Sequence, residues 1–218
     1  MVRSGVRVSR SVIRFNEFRM VIGGIEYLNE DAELFPDGSV HDATLAGDTD
    51  IQGLPCAGGR NVVFYPGGRL RLFWLSRPAI IGTVPCAPGI VYLHENGAPL
   101  NATLAADRDF AGRVVSSGEH VTLNDEGELL EFSLHLESDQ VVGGLACASA
   151  FRVWQYPDGR PSIVVLASPS IIGRRQFPRG AELFLDEDGE VLEWRQAELD
   201  SGQRYMPRVF GVHEAAFQ

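Results

Sequence analysis

Lysine is missing altogether: all 19 basic residues of the 218 are arginine. That removes Schiff-base chemistry, a lysine general base and the phosphate-binding P-loop, each of which needs an amine. Cysteine is scarce and odd in number, at three, so a disulfide framework is not expected. No Cys-x-x-Cys pair occurs, so the paired ligand spacing of a zinc site is absent and no metal or cofactor is expected. No apolar run approaches the ~18 residues of a membrane-spanning helix. The opening "MVRSGVRVSRSVIRF" lacks the apolar stretch of a signal peptide, so the expected location is the cytoplasm. Positive charge is also short. The net charge is −10, and no basic block has the density needed to hold a phosphate backbone, so no nucleic-acid partner is expected. The cationic feature is N-terminal: Arg3, Arg7, Arg10, Arg14 and Arg19. It reads as a solvated stripe, or as one that meets an acidic partner or the protein's own acidic body.

What is abundant is a periodic turn. Gly38, Gly68, Gly97, Gly127, Gly159 and Gly189 follow one another at steps of 30, 29, 30, 32 and 30 residues. Each closes a turn: "PDG", "PGG", "ENG", "DEG", "PDG" and "EDG". Such turns need positive φ, which glycine supplies, and apolar alternation on both sides marks a β-hairpin. Reading outward from each glycine, one face of the first strand carries Ala32/Leu34, Val62/Phe64, Val91/Leu93, Val121/Leu123, Val153/Gln155 and Leu183/Leu185. The second strand carries Ala43/Leu45, Phe73/Leu75, Ala102/Leu104, Phe132/Leu134, Val164/Leu166 and Trp194/Gln196. Residues two apart on a strand share a face, so each repeat sends about four apolar side chains to one side.

A second glycine recurs at Gly53, Gly82, Gly112, Gly143 and Gly173. Two residues before it stand Ile51, Ile80, Phe110, Val141 and Ile171, and small turns such as "CAGG" follow. The expectation is an all-β, antiparallel meander of about six two-stranded repeats of ~30 residues, each with two turns. It is flanked by an N-terminal strand or irregular segment, 1–23, and a C-terminal capping segment, 197–218, around a repeat domain at 24–196. An apolar face of that extent must be covered. Two packed sheets or a face-to-face homodimer would do so, but the expectation is a sheet strongly curled or closed in the manner of a barrel, with a parallel β-solenoid as the rival that the turn chemistry opposes.

The turn residues "FPDG" 35–38, "YPGG" 65–68 and "YPDG" 156–159 resemble the MORN repeat, whose short hairpins end in a similar turn. That resemblance implies a scaffold or partner-binding role.

Several clusters invite a sharper reading. Cys56, Cys86 and Cys147 occupy similar places in three repeats. In a meander such places lie about 9–10 Å apart, too far for a disulfide, so packed free thiols are expected. "LDEDGE" 185–190 and "NDEGE" 124–128 resemble calcium loops, but Ala197 stands where an EF-hand needs glutamate, so they read as turns. "SSGEH" 116–120 brings Ser117, Glu119 and His120 together in sequence without a nucleophile elbow. Three residues before each turn glycine stand Phe35, Tyr65, His94, Asn124, Tyr156 and Asp186, on the opposite face from the inward set. With Trp154, Arg69 and Arg160 they compose an aromatic–arginine row of the kind that anchors protein interfaces.

Two functions follow, with a catalytic role less expected than a binding one. The first is a non-enzymatic binding or scaffold module that engages a protein partner through Tyr65, His94, Tyr156, Trp154, Arg69 and Arg160. The alternative is a barrel whose apolar pocket, lined by Phe73, Phe132, Val164 and Trp194, binds or rearranges a hydrophobic small molecule. A self-assembling structural protein is a third class, opposed by Gln155 and Gln196, which interrupt the apolar pattern as in a capping repeat. The C-terminal "RQAELDSGQRYMPRVFGVHEAAFQ" fits no repeat and is long enough to cover an edge, with "QAELD" as a short helix.

Overall fold

The computed structural model describes residues 19–197, so the arginine stripe of residues 3–14 and the capping segment beyond 197 lie outside the described residues. The described chain is β-strand and turn throughout, and no helix in it is long and apolar enough to cross a membrane. It divides into two compact units, residues 19–135 with 154–159, and residues 136–153 with 160–197.

In the first unit the long strands pair antiparallel in chain order. Arg19–Ile22 pairs with Ile25–Leu34, then come Val40–Leu45, Asn61–Phe64, Leu70–Leu75, Gly89–Leu93, Pro99–Thr103, His120–Leu123 and Leu129–Leu134. In the second unit Pro161–Val165, Ala181–Leu185 and Val191–Gln196 follow the same rule. The antiparallel meander is therefore present. Among the described residues of the first unit, Arg19–Ile22 pairs with Ile25–Leu34 alone, and the expected closure into a barrel is not found.

The long turns behave as the periodic glycines require. At 65–68, Gly68 N–H donates to Tyr65 C=O at 2.9 Å and Tyr65 N–H to Arg69 C=O at 2.8 Å, with Gly68 at φ 81°. Beside this turn the hairpin carries a β-bulge at Arg71: Val63 faces Leu72, yet Phe64 faces Leu70. The same shift occurs at Tyr92/Leu93, Thr122/Leu123 and Phe184/Leu185. The extra residue restores the inward face, so Leu70, Phe73 and Leu75 are all buried although three and then two positions apart.

The repeating unit differs from the two strands and two turns expected. The second glycine lies in the tip of a separate short hairpin, which adds two strands to each long one. In the first unit these hairpins are Thr49–Ile51 with Leu54–Cys56, Ala79–Ile81 with Val84–Cys86, and Arg108–Phe110 with Arg113–Val115. In the second they are Gln140–Val142 with Leu145–Cys147 and Ser170–Ile172 with Arg175–Phe177. The first is closed by Gln52 and Gly53 at φ 54° and 80°, the mirror-image turn whose twist suits two-residue hairpins.

These short hairpins solve the covering problem. At its root the first is tied to the second strand of the long hairpin that follows: Cys56 bridges Leu75, Ala57 N–H donates to Trp74 C=O at 2.8 Å, and Ser76 N–H to Pro55 C=O at 2.9 Å. At its tip Gln52 Nε2 donates to Gly68 C=O at 2.7 Å and Leu70 N–H to Gln52 Oε1 at 3.3 Å. The hairpin thus lies back along the sheet from root to turn. Ile51, Ile81, Phe110, Val84 and Val115 join Val62, Phe64, Leu70, Phe73 and Val91 in one buried core. No second sheet or partner is needed for that face. In the second unit Cys147, Leu166, Phe177, Leu183 and Leu185 are buried in the corresponding places.

Candidate binding face

A strand in a single sheet has two faces, and the short hairpins occupy one. The opposite face is read from the cross-strand register. One row runs Asp42, Val63, Leu72, Tyr92, Asn101, Thr122, Glu131. On the next row Trp74 faces Ile90, and Thr103 faces His120. Val63, Leu72, Trp74, Ile90 and Tyr92 therefore form one contiguous apolar and aromatic patch, every member half-buried. Arginines frame it: the Arg60 guanidinium lies 4.6 Å from the centre of the Trp74 ring, and that of Arg71 lies 5.6 Å from Tyr65. Burial pushes the Tyr65 and Tyr92 phenols up from their ordinary values, with the Arg71 charge opposing, so both rings are neutral donors.

The patch has polar borders. On one side Asn61 Nδ2 donates to Asp42 Oδ2 at 3.3 Å. On the other, Asn101 Nδ2 donates to Thr122 Oγ1 at 3.1 Å, and Thr103 Oγ1 sits 2.9 Å from His120 Nδ1. His120 N–H donates to Ser133 Oγ at 2.8 Å, and that hydroxyl donates to Glu119 Oε2 at 2.6 Å. Glu119 Oε1 also accepts from His135 N–H at 3.0 Å. Ser117 is engaged through its N–H with Asp107 Oδ1 at 2.8 Å. Through His135, Glu119 braces the backbone that follows the neighbouring strand.

The row seen in the sequence lies along the turn end of this face. Tyr65 Oη donates to Leu93 C=O at 2.8 Å, and His94 Nε2 donates to Leu123 C=O at 2.9 Å. Arg69 Nη1 donates to Glu95 C=O at 3.0 Å and Asn96 Nδ2 to Asp125 C=O at 2.9 Å. Each turn is laced to the next through these side chains. Arg69, His94, Glu95, Asn96 and Asp125 line an open depression there. Phe35 packs on His41 with ring centres 4.8 Å apart. Tyr156 is half-buried in the turn whose Pro157 C=O accepts from Arg113 Nε at 2.7 Å. Arg160 is exposed and belongs to the second unit. Trp154, expected on the exposed surface, is 2% exposed, its ring stacked 6.0 Å from His120, so it cannot contact a partner directly.

Of the residues expected to line an apolar pocket, two belong to each unit. Phe73 and Phe132 fill the core of the first unit. Val164 is buried in the second, and Trp194, expected to point inward, is 39% exposed with its edge against Phe177 at 5.9 Å. The last strand, Val191–Gln196, has no described strand beyond it to cover that side.

Cys56, Cys86 and Cys147 are free and fully buried, and burial pushes each thiol up to about 11. Such thiols are neutral at physiological pH and are poor nucleophiles and ligands. Among the described residues no group of three or more His, Cys, Asp or Glu side chains is placed to hold a metal ion.

Sequence reasoning missed Trp74, Tyr92, Leu72, Ile90 and Val63. Their signal was present: they alternate with the inward set on the same strands. No family model matches the chain, and no curated protein sequence matches it.

Proposed function

We propose that the protein is a non-enzymatic binding module, a MORN-like array of six hairpin units of about 30 residues, that engages a protein partner through the open sheet face of its first unit. The observation that carries this reading is the contiguous patch of Val63, Leu72, Trp74, Ile90 and Tyr92 on the side opposite the short hairpins. Aromatic anchors framed by arginine and bordered by polar side chains have the composition of interface hot spots. Tyr65, His94 and Arg69 extend the face toward the turns, where their ties to the next hairpin hold it rigid. A rigid, preformed face loses little freedom on binding.

The test is affinity capture with the intact chain, followed by titration of the captured protein. The double variant Trp74→Ser/Tyr92→Ser should bind it at least ~30-fold more weakly, the order expected for losing a hot spot worth about 2 kcal/mol. Ile80→Ser, on the far side of the short-hairpin layer, should bind as wild type. Unchanged affinity of the Trp74/Tyr92 variant, with its circular dichroism intact, would exclude this face.

A further inference from the structure

Guanidinium groups stacked on aromatic rings recur in the first unit, and those beside the open face differ from the rest in what they leave unused. Arg60 lies over Trp74, Arg71 over Tyr65, Arg108 over Phe110 and Arg113 over Phe132. Arg108 also donates to the Thr83 carbonyl and hydroxyl, and Arg113 Nε donates to Pro157 C=O at 2.7 Å. The guanidinium groups of Arg60 and Arg71 have no hydrogen-bond or ion-pair partner among the described residues. Stacking uses the flat face of a guanidinium and leaves its edge, a rigid fork of N–H donors, to groups lying in its plane. Elsewhere the chain does pair exposed arginine with carboxylate, as in Arg19 with Glu26 at 3.2 Å and Arg77 with Asp50 at 3.6 Å.

Carboxylates are kept off this patch, in a chain of net charge −10. Neither the row from Val63 to Thr122 nor the next, from Trp74 to His120, holds an Asp or Glu. At one border Asp42 already accepts from Asn61, and Glu131 stands beyond Thr122 at the other. Glu95, in the next turn, acts on the Tyr65 phenol against Arg71 but forms no ion pair among the described residues. Apolar and aromatic surface ringed by unpaired positive charge is complementary to apolar groups flanked by negative charge. We propose that the partner presents an acidic segment with an apolar centre, a proposal that rests on the open face being the binding surface. Its apolar side chains lie against Trp74 and Tyr92, and its carboxylates meet the Arg60 and Arg71 forks, in pairs that can be bidentate and so fix register as well as sign. Arg71 and Trp74 stand three residues apart on one strand, about 10 Å, and Arg60 lies over the Trp74 end. An extended segment rises about 3.3 Å per residue, so carboxylates about three residues apart reach both arginines.

The test uses the intact chain and two fluorescent probe peptides, one with a pair of leucines between two aspartates and one with the same pair between two asparagines. By anisotropy the aspartate peptide should bind at least about tenfold more tightly than its asparagine counterpart. Arg60→Gln/Arg71→Gln should erase that preference. Equal affinity for the two peptides, or no binding of the aspartate peptide below about 1 mM, would overturn the acidic assignment. Displacement of the peptide by inorganic phosphate at equal concentration would overturn it too, as the behaviour of a plain anion site. The peptide comparison on the wild-type chain needs no variant, so a folding defect cannot decide it. The captured protein separates this proposal from the one beneath it. Binding kept by Arg60→Gln/Arg71→Gln but lost by Trp74→Ser/Tyr92→Ser retains the face and overturns the acidic partner, whereas binding kept by both removes the face itself.

Discussion

Ile80 and Ile81 are the same side chain on one three-residue strand, and the fold assigns them opposite fates. Ile81 is 4% exposed in the core between the short hairpin and the sheet, and Ile80 is 73% exposed on its outer side. Ile81→Ala removes buried methyl and methylene groups and leaves a cavity, which costs about 2–4 kcal/mol. Ile80→Ala removes groups already in water and should stay within about 0.5 kcal/mol of wild type. In urea, with a slope of about 2 kcal/mol/M, the first change lowers the midpoint by roughly 1–2 M and the second by less than about 0.3 M. Tryptophan fluorescence reads the transition, since Trp74 and Trp154 both belong to the unit that holds Ile81. Equal shifts for the two variants, or a larger one for Ile80→Ala, would mean that the short hairpins do not cover the sheet.

The cysteines give a further prediction. Because burial raises each folded thiol to about 11 against an ordinary value of 9, the folded chain holds protons that the unfolded chain releases above pH 9. The contribution is complete below pH 9 and lost as pH rises toward 11, so the melting temperature should fall across that window, and Cys56→Ala should flatten the fall. At pH 8 a thiol reagent should label no cysteine of the folded protein and all three after denaturation, and rapid labelling of the native chain would contradict their burial.

The long hairpins were legible because a turn glycine with apolar alternation on each side fixes both the bend and the face. The free cysteines followed from strand spacing. The short hairpins were not legible, because three-residue strands carry too little alternation to declare themselves. Their glycine also misleads as a reference point. It is the second residue of the turn at Gly53 and Gly112 but the first at Gly82, so counting back two reaches buried Ile51 and Phe110 yet exposed Ile80. The β-bulge hid the outer face in the same way, since it inserts Arg71 and breaks strict alternation between Leu70 and Phe73. The row at Tyr65 and His94 was found, but its ties to the next hairpin were not, because they join residues 28 and 29 positions apart. Gln155 looked like a broken core position, and the fold explains it: its Nε2 donates to Gly159 C=O at 2.8 Å within its own turn.

The central claim is that the first unit's sheet has one face covered by its own short hairpins and one face left open. Residue-resolved hydroxyl-radical footprinting of the intact chain tests it most directly. Trp74, Tyr92 and Ile80 should oxidise readily while Phe73 and Ile81 stay protected. Protection of Trp74 and Tyr92 in the free protein, or oxidation of Phe73 at a comparable rate, would contradict it.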